Sequence, residues 1–158
     1  MNYNIKIIPN ASQRYETVGD YWEKHQQLIE IRVSDFTEVC ASSEAGTVFV
    51  NSEAVKKAES FEFLVAIHEL VEAFLARRDG IDFKKIDEFD LKHVLSEQAE
   101  SEPGEQEDCP YKEQHIKATL VEQYLAQIIA VNWEEYSEAV QHFHAEGDSE
   151  QEIKYERS

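Results

Sequence analysis

Residues 60–80 read SFEFLVAIHELVEAFLARRDG. Apolar residues recur here at helical spacing, and Gly80 stands where such a helix would stop. The spacing predicts a helix over residues 60–79. At about 100° of rotation per residue, Phe61, Leu64, Val65 and Leu75 fall within about 60° of His68. Glu72 lies inside the same arc, about 40° from His68, while Glu69 sits off its edge at about 100°. A histidine and a carboxylate therefore point with the core-facing side chains.

The pattern continues downstream. A second helix is expected over about 83–98, with Phe83, Leu91 and Val94 within about 40° of Asp87 and Asp90 about 60° away. Residues 99–110 read as an acidic loop. A third helix, about 111–130, carries His115 and Glu122 nearly superimposed, with Ala118, Ala126 and Ile129 beside them. A fourth opens at Asn132-Trp133 and runs to about 144. Upstream, residues 3–8, 28–33 and 47–50 alternate apolar and polar, which suits short strands. No internal repeat stands out. The expected fold is α+β, mainly α: a three- or four-helix bundle with a small N-terminal antiparallel sheet. Residues 1–144 form a single domain, 1–51 the sheet region and 60–144 the helical region, with 145–158 a flexible acidic tail.

Burying an unpaired carboxylate costs several kcal/mol, so such groups must be paired, protonated or bound to a cation. Three successive helices each direct two ionisable groups onto an apolar face, which points to one shared polar site. A divalent ion is the simplest neutraliser, held by His68, Glu72 and His115 with a further carboxylate from Glu122, Asp90 or Asp87. Mixed imidazole and carboxylate ligation suits zinc, manganese or iron better than magnesium or calcium. The alternative is a metal-free network of buried ion pairs and hydrogen bonds, in which His68 and His115 pair with Glu72, Asp90 or Glu122. Against the excess of acids it would need Arg77, Arg78 or Lys112 to fold inward.

The formal charge is −18, from 33 acidic and 15 basic side chains, which argues against direct binding to nucleic acid. No run of about 18 apolar residues suggests a membrane span. The first residues lack the basic-then-apolar design of a signal peptide, and two distant cysteines, Cys40 and Cys109, read as reduced thiols. A cytoplasmic protein is expected.

Three resemblances bear on function. His68-Glu69-x-x-Glu72 resembles the H-E-x-x-H helix of zincin metalloproteases, with glutamate in place of the second histidine. That resemblance implies His68 as a ligand, Glu69 as general base, and a third ligand from His115 or Glu122. Glu69-x-x-Glu72 followed by Asp87-x-x-Asp90 is similar to the E-x-x-E and E-x-x-D helices of MazG-type nucleotide pyrophosphohydrolases, which implies magnesium and a nucleoside triphosphate. The broader layout resembles a small uncharacterised family of phage and prophage proteins. Its landmarks are Tyr15 to Asp20, Ile31 to Ser34, the His68 motif, Gly80-Ile81, Asp87-x-x-Asp90, Pro110-Tyr111-x-x-x-His115, Glu122 and Trp133-x-x-Tyr136. This likeness implies a mobile-element origin and residence in the host cytoplasm. The reading that follows is a metal-dependent hydrolase of a peptide or nucleotide, with Glu69 as the base. The rival is a non-catalytic acidic protein that binds a host protein by imitating nucleic acid, the metal or polar cluster then being purely structural.

Overall fold

The computed structural model describes residues 1–96, 102–143 and 152–155, the last four by backbone alone. Its first sheet comprises β1 (Asn2–Ile8), β2 (Gly19–His25) and β3 (Leu28–Ser34) in the order β1-β3-β2. The β2–β3 pair is antiparallel, as expected of the sheet although β2 itself was not expected, but β1 runs parallel to β3, with Ile5 opposite Ile31. The expectation missed β2 because its first three residues are buried and its last three exposed, so it never alternates. With β2 and β3 in a hairpin, the short 9–18 connection joins the end of β1 to the start of β2 at one end of the sheet, which sets β1 parallel to β3. Ile29, Ile31 and Val33 of β3 are wholly buried in one core with Phe61, Leu64 and Val65.

Residues 47–50 were expected in the same sheet and instead belong to a second one. After a short helix α1 (Thr37–Cys40), β4 (Ser42–Glu44) and β5 (Thr47–Val50) form a hairpin around Ala45-Gly46. Both turn residues have positive φ, 50° and 80°, as a tight two-residue hairpin requires. Strand β6 (Glu152–Tyr155) adds to β5 in parallel. Part of the stretch expected as a flexible tail is therefore a strand, while residues 145–151 and 156–158 lie outside the described residues.

Helix α2 (Ser52–Arg78) starts eight residues before the expected point. The Asn51 side chain caps it by accepting from the Ala54 N–H at 2.9 Å. Glu53, Lys56, Lys57 and Glu59 mask the helical period in the sequence, although Ala54 and Ala58 keep it. The helix packs against the first sheet on one side and against α4 (Lys112–Ile128) on another. Helix α3 (Phe83–Val94) follows α2, and α5 (Trp133–His142) follows α4. The expected extensions of α3 to 98 and α5 to 144 end early, and residues 97, 98 and 144 lie outside the described residues. Of the expected acidic loop, 99–101 also lie outside them, and Pro103–Glu105 forms a single 3-10 turn. Among the described residues no helix is long and apolar enough to cross a membrane.

The two hairpins, α2–α3 and α4–α5, end their first helices in the same way. Gly80, at φ 74°, donates to the Arg77 carbonyl while Ile81 donates to that of Ala76 at 2.9 Å. Ala130, at φ 56°, donates to Gln127 while Val131 donates to Ala126 at 2.9 Å. Asp82 and Asn132 then cap the following helices with their side chains. A repeat exists in the backbone where none stood out in the sequence.

Candidate metal centre

His68 and Glu72 lie one turn apart on α2, and the packing of α4 against α2 brings His115 to meet them. Glu72 Oε2 is 2.9 Å from His115 Nδ1 and 3.2 Å from His68 Nε2, and the two ring nitrogens are 3.2 Å apart. These three donor atoms form a nearly equilateral triangle. A tetrahedral zinc ion with bonds of roughly 2.0–2.1 Å would hold its ligand atoms roughly 3.3 Å apart, so the donor set fits the ion with little movement. The cluster is deeply placed, with Glu72 and His115 buried and His68 nearly so.

Each histidine has a carboxylate behind it. Glu122 Oε2, on α4, lies 2.9 Å from His68 Nδ1, and its other oxygen accepts a short hydrogen bond from the Tyr136 hydroxyl on α5. Glu102 Oε2 lies 3.5 Å from His115 Nε2. Without an ion both rings can donate to Glu72. With an ion bound, Nδ1–H of His68 given to Glu122 and Nε2–H of His115 directed at Glu102 would leave each ring's other nitrogen free to face the ion. This is how carboxylates fix the tautomer of a metal-binding histidine. Gly104 seals the arrangement: a Cβ there would fall 2.5 Å from His115 Nδ1, so only glycine lets the 102–105 turn lie on the ring.

The charges respond to one another. Burial disfavours a charged His68, but the carboxylates of Glu122 and Glu72 outweigh it and hold the imidazolium pKa well above its ordinary range. Burial would likewise raise Glu72, yet the hydrogen bonds from His115 and His68 bring it down to about 2. Burial, reinforced by the charge of Glu72, pushes Glu69 well above the carboxylate range. The arginine and lysine side chains that a metal-free network would call on do not turn inward, so of the described basic side chains the two histidines alone face Glu72 and Glu122 within the cluster. Arg77 pairs with Glu23, Arg78 with Asp79 and Lys112 with Glu107, all away from the cluster.

A cleft of about 940 Å³ opens beside the cluster. Glu69 lines it without a hydrogen-bond partner among the described residues. It has room there because of Gly19, where a Cβ would come within 2.7 Å of Glu69 Oε1. Asp90 also lines it, held by hydroxyl donation from Tyr111 at 2.5 Å and from Tyr15 at 3.1 Å. Asp90 thus stands in the cleft wall with its oxygens engaged, outside the donor triangle. Asp87 is not brought in at all: it is partly exposed and bonded to Arg14, which also holds Asp20.

The sequence reading missed Tyr21. Its hydroxyl is buried beside Glu72 and lines the same cleft, with no well-formed hydrogen bond among the described residues; burial, with the nearby charges of Glu72 and Glu69, raises its pKa well above the tyrosine range. The only signal was an aromatic residue two positions after Gly19, in a strand with no alternation. Glu102 and Gly104 were hidden in an acidic stretch that reads as a solvated loop.

The chain matches no protein-family profile, and neither the curated proteins nor the solved structures compared with it yield a match. What the cluster can do rests on its own geometry. His68, Glu72 and His115 form a group able to hold a metal ion.

Proposed function

We propose that this protein is a metal-dependent hydrolase whose ion is held by His68, Glu72 and His115, with Glu69 as general base. The observation that carries this reading is the donor triangle, its three edges between 2.9 and 3.2 Å, opening onto a large cleft. Two imidazoles and one carboxylate suit zinc, with manganese and iron as neighbours in preference. When bound, such an ion makes a water more acidic and draws charge from the oxygen of the bond under attack.

The chain's own residues supply the rest. Glu69 directly follows His68 and faces the cleft with no hydrogen-bond partner among the described residues. The charge of Glu72, which helps raise its pKa, would be offset by a bound divalent ion, and this favours the ionised Glu69 carboxylate as base. A proton removed from the attacking water would pass to that carboxylate and from it to the leaving group. Tyr21 offers a buried hydroxyl beside Glu72, suited to donate to an oxygen that gains negative charge. Glu122 and Glu102 keep the two imidazoles in the required tautomers.

The experiment is metal analysis of protein purified without chelator, followed by hydrolysis assays on peptide, ester and nucleotide panels. About one equivalent of transition metal is expected, lost in His68→Ala and His115→Ala. Glu69→Gln should retain the metal and lose turnover. A protein that binds no such ion and melts identically with and without EDTA would refute the reading.

A further inference from the structure

The cleft beside the cluster has a one-sided electrostatic character. No lysine or arginine is among the described residues that line it, whereas Glu69, Glu72, Asp90, Glu102, Glu105 and Glu122 all do. Burial holds Glu69 and Asp90 toward their neutral forms, and His68 and His115 face Glu72, but no lysine or arginine in the described lining offsets the carboxylates that remain. Arg14, which holds the lining residue Asp20, is engaged by it and by Asp87. Tyr15, Tyr21 and Trp133 add aromatic surface to the same walls.

Phosphate groups are recognised by Arg, Lys or arrays of backbone N–H groups aimed at the anion. A wall of carboxylates repels them, and the repulsion grows where water is excluded. A lysine or arginine side chain meets the reverse situation: carboxylates for its charge and aromatic faces for its stem and head. Building on the hydrolase reading, we infer that the cleft takes a cationic peptide, with a Lys or Arg side chain beside the bond presented to His68, Glu72 and His115. Nucleoside polyphosphates are excluded.

The test uses calorimetric titration at low ionic strength, with zinc-loaded and metal-free protein side by side. The probes are a blocked pentapeptide with a central arginine, its glutamate counterpart, and ATP. The arginine peptide should bind at least about tenfold tighter than the glutamate peptide, and ATP more weakly than either, in keeping with charge-based selection. Raising the salt should narrow the difference. Glu16→Gln with Glu105→Gln, both on the exposed rim of the cleft, should narrow it without altering metal content. Equal affinities for the two peptides, undetectable binding of the arginine peptide, or preferential binding of ATP would overturn the inference. Because the preference is also read on metal-free protein, absence of zinc binding would defeat the hydrolase reading while leaving this one measurable.

Discussion

Glu72 and Glu122 occupy the same place in two successive helical hairpins. Each lies eight residues before the left-handed residue that closes its helix, Gly80 for one and Ala130 for the other. The two carboxylates meet across the α2–α4 contact with His68 between them, its Nε2 toward Glu72 and its Nδ1 toward Glu122. Equivalent positions therefore carry different tasks, because an imidazole has two unlike nitrogens. Glu72 also faces His115 and completes the donor triangle, whereas Glu122 is tied back to Tyr136 and orients the ring.

That division predicts a graded loss. Glu72→Ala should abolish stoichiometric metal binding, since it removes a ligand. Glu122→Gln should keep the site and weaken it by about 10- to 100-fold, the usual effect of removing a carboxylate behind a ligand histidine. Competition titration with a chromogenic chelator reads both. Equal losses in the two variants would show that Glu122 is itself a ligand.

Gly104→Ala tests the turn that lies on His115. A Cβ placed 2.5 Å from Nδ1 must displace either the turn or the ring. Metal affinity is expected to fall by at least about tenfold, the scale of a disturbed outer shell. The His115 ring protons should shift in NMR spectra while distant resonances stay in place. Unchanged affinity would mean that the turn is not needed to hold the ring.

Asp90 makes the metal-free protein pH-sensitive. Burial raises its pKa to about 7, against hydrogen bonds from Tyr111 and Tyr15 that lower it, and the charges of Glu72 and Asp20 add to the rise. In the unfolded chain it ionises near pH 4. Between these values the folded state holds a proton that the unfolded state lacks, so stability falls as pH rises through this window. The shift corresponds to a few kcal/mol at pH 8. Asp90→Asn should flatten the dependence of chelator-treated protein between pH 4 and 7, as measured by urea denaturation. An unchanged slope would place the sensitivity elsewhere.

Ala130 adopts a backbone conformation that costs an L-residue roughly 1–2 kcal/mol. Ala130→Gly should recover about 1 kcal/mol, seen as a rise in Tm of roughly 2–4 °C for a chain of this size. Gly80→Ala should lose a comparable amount. If the alanine-to-glycine change lowers Tm, chain entropy outweighs the relief of strain.

How much of this could be read in advance follows from the geometry of helices. His68, Glu72, His115 and Glu122 were legible because a fixed rotation per residue gives each side chain a direction before any tertiary structure is known. The same rotation could not separate Asp87 from Asp90, which lie on one face. What divides them is a pair of tyrosine hydroxyls from Tyr111 and Tyr15 on one side and the Arg14 guanidinium on the other. Nor could it assign Glu72 and Glu122 their different tasks, which depend on the imidazole nitrogen each one faces. Gly19 and Tyr21 stand on a strand buried at one end and exposed at the other, where no two-residue period exists to reveal it. Glu102 and Gly104 are positioned by α4, ahead of which they fold back onto His115.

Strand β6 pairs with β5 across most of the length of the chain, whereas every residue of the cluster and its supports lies between Gly19 and Tyr136. During synthesis the second sheet cannot be completed until residues 152–155 have emerged, later than every residue of the cluster. The residues of the donor triangle and its backing carboxylates have all been made before that. Local contacts form ahead of distant ones, so an ion could be captured, and the α2–α4 pairing locked, while the edge of β5 is still open.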